Sequence, residues 1–390
     1  MSGNQYIDEQ MKEYIHNNEI AGAALIVRRN KTIIYQNKWG YTDIECEIPV
    51  EFDTIFRMAS LTKVITAVAV LILVEQGKIQ LDDEVAKFIP ELGQLMVCKT
   101  EFGLESLYNP ASVDLSAIEL EPTRRKVKIR DLLTHSSGLG MGVAGLLLSA
   151  ELSSSEDTLE SRFHKFKDFP ADFEPGEQTG YSGIIGFDAL GRIIEVASGR
   201  SFADFLQEHL FDPLEMKDTA FHLNGQQQAR LAVLYKAENG AIVKAPTGED
   251  LDGLVKGGPA YYSAAAGLYS TVIDFDHFAQ MLLQEGEYNG TRILQPETVR
   301  LLHQERAYKH LEFSPGSVWG LGVLVREEPE RANSLLTKGS FGWSGHFGTH
   351  LVIDPVKQIQ IILMLNRSNI GGAGSYISKK IEDLVYKDLN

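Results

Sequence analysis

Cysteine is almost missing from this chain: Cys46 and Cys98 are the only two among 390 residues. A disulfide framework is thereby excluded, and the fold must rest on its apolar core. Positive charge is also short. Against 53 Asp and Glu stand 37 Lys and Arg, and the net charge of −16 argues against nucleic acid and anionic membranes as main partners. Long hydrophobic runs are absent too; those at 64–74 and 359–365 are too short to span a bilayer. The first residues carry no basic stretch followed by an apolar one, so no secretory signal is visible and a cytoplasmic location is expected. No Gly-x-Ser-x-Gly elbow, His-Glu-x-x-His helix or phosphate-binding glycine loop occurs. The ten histidines lack ligand spacing, so neither a metal nor a cofactor is expected.

What is present is ordinary globular composition, 44% hydrophobic and 23% charged, enough for one large domain or two medium ones. Residues 5–18 place Tyr6, Ile7, Met11, Tyr14 and Ile15 on one face of a helix. Strand-like runs follow at 23–28 and 32–36 around a polar turn. From 60 to about 231 the pattern is mostly helical, including 184–197 with Gly199 as its C-cap. Past Pro259 strands return at 319–325, 350–353 and 359–365, and a closing helix is expected at 376–389. This order predicts an α/β fold with an antiparallel sheet flanked by helices, joined by hairpins rather than helical crossovers. Residues 1–59 and 232–390 would form the sheet domain, with 60–231 an inserted, mainly helical lobe. Residues 98–121 have no period and read as an irregular excursion, either solvated or folded over the cleft as a lid.

The richest stretch is Ser60-Leu61-Thr62-Lys63, a hydroxyl and an amine one helical turn apart just before a run, 64–74, so apolar that it reads as a buried helix. The Ser60 N–H lies among the first four helical donors without an intrahelical partner, where an oxyanion is welcome. Lys63 falls on the same face, and in a dry pocket a neutral amine can take the serine proton. Spacing alone is weak evidence, since a chain of this length holds about one such pair by chance. On spacing alone, a helix N-cap with a snorkelling lysine is the better explanation.

The flanks decide. The stretch Asp53-Thr54-Ile55-Phe56-Arg57-Met58-Ala59-Ser60-Leu61-Thr62-Lys63 resembles the active-site segment of the serine β-lactamase and penicillin-binding-protein superfamily. The match is to the branch of class C β-lactamases, D-amino-acid peptidases and family VIII carboxylesterases. Ser-x-x-Lys is a signature of related β-lactamases. The resemblance continues in order through Leu132-Leu133-Thr134-His135-Ser136-Ser137-Gly138-Leu139, then Pro175-Gly176 to Tyr181-Ser182, and Phe211-Asp212-Pro213-Leu214. It ends with Ala266-Gly267-Leu268-Tyr269-Ser270-Thr271 and Gly345-His346-Phe347-Gly348-Thr349. It covers nearly the whole chain except the 98–121 excursion, and it implies the β-lactamase/transpeptidase-like fold.

By that resemblance Ser60 is the nucleophile, Lys63 its base and Tyr181 the proton shuttle. The backbone N–H groups of Ser60 and His346 would form the oxyanion hole, and Trp343, Ser344, Gly345 and Gly183 would meet the substrate. Two departures bear on the substrate. The second motif commonly ends in Asn where this chain has Gly183, and the third usually opens with Lys or His where it has Trp343. Without that cation a substrate carboxylate loses its partner, whereas an indole suits an uncharged acyl or alcohol group. Thr337-Lys338-Gly339-Ser340 imitates the missing Lys motif, but the register of Gly345-His346-Phe347-Gly348-Thr349 excludes it. His135 is expected to satisfy buried backbone groups near a turn. The expected partner is thus a small-molecule ester or β-lactam-like substrate, and the expected activity is hydrolysis of small neutral esters. A β-lactamase or D-amino-acid peptidase, an acyltransferase, and a weakly catalytic penicillin-binding receptor or scaffold are the alternatives.

Overall fold

The computed structural model describes residues 3–100, 118–140, 154–165, 170–246, 248, 255, 257–306, 312–372 and 374–388. A helix α1 (Gly3–His16) leads into strands β1 (Gly22–Arg29), β2 (Thr32–Asp43) and β3 (Ile48–Pro49). Helices α2 (Thr62–Glu75), α3 (Ile185–Ser198) and α4 (Val272–Leu283) carry the middle of the chain. The C-terminal strands are β4 (Glu312–Ser314), β5 (Ser317–Trp319), β6 (Leu324–Arg326), β7 (Phe341–Ser344), β8 (His350–Asp354) and β9 (Ile359–Leu365), and helix α5 (Tyr376–Asp388) closes the chain.

The strands form one sheet in the order β4-β5-β6-β7-β8-β9-β1-β2-β3, antiparallel at every pairing. The two ends of the chain meet at β1 and β9, where Ala24 pairs with Met364 and Ile26 with Ile362. Every residue of β9 is buried, because helices cover both faces of the sheet. On one face α1 and α5 bring Ile7, Met11, Ile377 and Ile381 against Leu25, Val27, Ile361 and Leu363. On the other, α2, α3 and α4 pack with Ile26, Ile362 and Trp343. Helix α2 is apolar all round and buried from Thr62 to Leu73, and each large aliphatic side chain buried there contributes about 1.5–3 kcal/mol.

The expected strand at 319–325 is instead two strands, β5 and β6, with a tight turn between them. Gly322 has φ +74°, and a Cβ on it would come within 2.5 Å of Ala67 on α2, so the chain must turn where only glycine fits. The ends of the 98–121 excursion are pinned, since Met96–Cys98 pairs antiparallel with Leu120–Pro122. Its interior, where a lid would lie, is outside the described residues. Among the described residues, no helix is long and apolar enough to cross a membrane.

Asp354, fully buried at the end of β8, ties α5 to the sheet. It accepts hydrogen bonds from the Thr337 hydroxyl (2.6 Å), the Val356 and Lys357 amides (2.9 Å each) and the Tyr386 hydroxyl. Burial alone pushes its pKa up, but these donors outweigh burial and hold it below the ordinary carboxylate value. A depressed folded-state pKa stabilises above the unfolded value of about 3.9, and the gain disappears as pH falls through the folded value. Asp354→Asn should therefore destabilise the fold by about 1.5–3 kcal/mol at neutral pH. The gap between the urea midpoints of the two proteins should begin to narrow as pH falls through about 4 and close only below the lowered native value, where the native carboxylate takes up its proton.

Candidate active site

Ser60 sits in a short 3-10 turn, Ala59–Leu61, that feeds directly into α2. Ala59, buried, has φ +45°, a left-handed backbone that costs a non-glycine residue about 1–3 kcal/mol and aims the next side chain away from the helix axis. No side-chain cap is made at this helix start. The N-cap explanation of Ser60 is thereby set aside: its hydroxyl faces Lys63 and Tyr181 instead.

Lys63 is fully buried. Its Nζ donates to the Gly183 carbonyl (2.6 Å) and the Ala265 carbonyl (3.0 Å), with Ser60 Oγ at 3.3 Å. Two carbonyls use two N–H groups, so the third tetrahedral direction of the amine points at the serine. Tyr181 donates its hydroxyl to Ser60 Oγ at 2.8 Å and accepts from Trp343 Nε1 at 3.2 Å. Serine, amine and phenol thus share one hydrogen-bond network, into which the Trp343 indole also donates.

Aromatic packing holds the phenol. The Tyr181 ring lies 4.7 Å from the His135 ring, 5.3 Å from Trp343 and 5.9 Å from Trp319, while Trp319 and Trp343 meet edge to face at 4.5 Å. His135 Nδ1 accepts the Ser182 N–H at 2.9 Å, which fixes the residue after Tyr181. Burial first, and then the charge of Lys63, push the His135 pKa well below the ordinary value, so the imidazole is neutral and its Nδ1 free to accept. This is the backbone-satisfying place expected for it.

The third motif docks on the serine from β7. A Cβ on Gly345 would lie 2.2 Å from the Met58 carbonyl, and the Thr349 hydroxyl donates to that same carbonyl at 3.1 Å. Only glycine permits this approach, which brings the start of the 345–349 turn beside the Ser60 turn. The imidazole of His346 is exposed. Gly183 contributes its carbonyl to Lys63, a use of the residue that the substrate-facing expectation did not include. Ser344 does not join the group. Alternation along β7 turns its hydroxyl to the opposite face, where it pairs with His350 Nδ1 at 2.7 Å, and His350 Nε2 lies 2.9 Å from Glu382 of α5. The Ser344 side chain is thus linked through His350 to α5. Lys338 of the imitation motif is exposed and paired with Glu327 at 2.9 Å.

Sequence reasoning missed Ala265 and Trp319. Ala265 acts through its carbonyl, which leaves no trace in a side-chain pattern, and Trp319 lay inside the run taken as one strand.

Residues 4–383 match the Beta-lactamase family. The chain belongs to that family. It is 28% identical over 406 residues to the esterase EstB of Burkholderia gladioli, covering 97% of this chain and 94% of the relative. It is also 28% identical over 383 residues to protein Rv1367c of Mycobacterium tuberculosis (strain H37Rv), covering 94% and 90%. Among solved structures, EstCE1, a hydrolase with promiscuous acyltransferase activity, aligns with a TM-score of 0.81 at 24% identity, covering 98% of each chain. At that identity the structural likeness speaks to fold, which is the β-lactamase/transpeptidase one. This Beta-lactamase family member is an enzyme, a serine hydrolase of the β-lactamase and penicillin-binding-protein superfamily.

Proposed function

We propose that the enzyme hydrolyses small neutral esters through an acyl-enzyme on Ser60. The observation that carries this reading is Trp343: an indole N–H, rather than a lysine ammonium, donates to the Tyr181 hydroxyl at 3.2 Å. The position that would otherwise attract a substrate carboxylate thus holds an apolar plate packed against Trp319. The 28% identity to an esterase over nearly the full length of both chains supports the same choice.

In this mechanism the Lys63 amine takes the Ser60 proton as Oγ attacks the ester carbonyl. The Ser60 and His346 amides receive the developing oxyanion. As the tetrahedral intermediate collapses, Tyr181 gives its proton to the leaving alkoxide, which leaves a phenolate to take the water proton and the Lys63 ammonium to return a proton to Ser60 in the second half of the reaction. Water then enters, loses a proton to the same pair and releases the carboxylic acid. The test is a substrate panel on the full-length protein: p-nitrophenyl butyrate, nitrocefin and a D-Ala-D-Ala peptide, together with labelling by a fluorophosphonate. Ester turnover with stoichiometric labelling at Ser60 is expected. Peptide or nitrocefin turnover above that of the ester would sink the reading, and absence of labelling would favour a non-catalytic receptor.

A further inference from the structure

We propose that Asp188 is a positioning residue that sets the Ala265 carbonyl on Lys63. The inference rests on the acyl-enzyme reading above and assigns a task to a buried carboxylate that the mechanism itself does not use.

Asp188 lies in the first turn of α3 and is fully buried. Its Oδ1 accepts the Ser263 hydroxyl at 2.9 Å and the Ala265 N–H at 3.3 Å, and its Oδ2 accepts the Tyr261 hydroxyl. The Arg162 guanidinium stands 3.6 Å away, and Asp157 with Lys165 completes the charged surroundings on the Arg162 side. All four groups facing the carboxyl group are donors, so its oxygens serve as acceptors. Burial raises its pKa above the ordinary carboxylate value, and Arg162 and the three donors offset only part of that.

The consequence lies one peptide away. Ala265 gives its N–H to Asp188 and its carbonyl to Lys63, so one residue connects the carboxylate to the amine. The neighbouring Ala264 carbonyl accepts from Thr66 on α2 at 2.7 Å. Residues 264–266 are all alanine and have no polar side chain to anchor them. Their placement must come from backbone bonds to α2 and α3. Close approach is built in: a Cβ on Gly191, one turn along α3, would come 2.7 Å from Ala264 Cβ. Without the Asp188 oxygen, the buried Ala265 N–H must seek another acceptor; its peptide unit carries the Ala264 carbonyl, so its rotation breaks the Thr66 bond as well and releases Ala265, whose own carbonyl shifts with it. Lys63 then loses one of the two carbonyls that orient its nitrogen, and misplacing a reacting group by about 1 Å can cost about a hundredfold. A buried carboxylate–guanidinium pair is rarely the cheapest way to fill a core, which fits a placement role better than a purely stabilising one.

The test compares Asp188→Leu, Asp188→Asn and Tyr261→Phe in the full chain. It uses fluorophosphonate labelling rates and p-nitrophenyl butyrate kinetics, with active sites titrated. Asp188→Leu removes the acceptor and should slow labelling and kcat by about 10- to 100-fold, with KM within about twofold and the titratable fraction unchanged. Asp188→Asn keeps an oxygen on Ala265 and should recover to within about threefold of wild type, while losing thermal stability. Tyr261→Phe should lose stability and keep kcat. Should Asp188→Leu fail to fold, Asp188→Leu with Arg162→Met removes both buried charges and should show the same slow labelling. Labelling by either acceptor-less variant within twofold of wild type would overturn the proposal. So would a kcat loss in Tyr261→Phe equal to that in Asp188→Leu. A wild-type protein that takes no label would instead overturn the acyl-enzyme reading.

Discussion

Ser60→Ala lowers hydrolysis of p-nitrophenyl butyrate by about four orders of magnitude or more, and Lys63→Ala by nearly as much. The expectation follows from the hydrogen bonds. The serine has two partners, Tyr181 at 2.8 Å and Lys63 at 3.3 Å, and the lysine nitrogen has no further function once the serine oxygen is gone. Residues that act as one unit are strongly non-additive, so the double variant should be little worse than Ser60→Ala alone. Both single variants should fold. Ser60 is small, and Lys63→Ala leaves the Gly183 and Ala265 carbonyls to be met by water from the cleft. A steady-state assay with circular dichroism on the same samples decides the matter. Multiplying losses in the double variant would mean that serine and lysine act independently.

The second large effect concerns substrate choice. The specificity constant for short neutral esters should exceed that for penicillins, cephalosporins and D-Ala-D-Ala peptides by roughly a hundredfold or more, the equivalent of a lost charge-paired contact. Trp343 is 6% exposed and wedged among Tyr181, Trp319 and Phe313, so no cation stands where the family's usual third motif would place one. Gly183 adds no amide side chain for the acyl-amide group, and its carbonyl is already taken by Lys63. Trp343→Lys should raise β-lactam acylation relative to ester hydrolysis, because an ammonium there can donate to Tyr181 and also face a carboxylate. A nitrocefin specificity constant above that of p-nitrophenyl butyrate in the wild-type enzyme would reverse the assignment in favour of a β-lactamase.

The parts of this molecule that were legible in its sequence are those where one side chain or one period carries the signal. The apolar run at 64–74, interrupted only by Thr66, reads as a buried helix, and the aliphatic run at 359–365, interrupted only by Gln360, as a strand; both are so. The serine, amine and phenol were legible because the chemistry needs those groups and the surrounding blocks keep a recognisable order. Less visible was anything carried by the backbone. Gly183 and Ala265 orient Lys63 through carbonyls that every residue possesses. Ser344 sits beside Trp343 in sequence, yet the pleat sends the two side chains to opposite faces. The turn at Gly322 was hidden because its glycine answers to Ala67, more than 200 residues away.

The most direct test of the central claim is to quench a reaction with p-nitrophenyl butyrate in acid during steady state and map the protein by peptide mass spectrometry. The account predicts one butyryl group on the peptide that contains Ser60, present in wild type and absent in Ser60→Ala. A butyryl group on another residue, or turnover of the ester at an undiminished rate in Ser60→Ala, would contradict it.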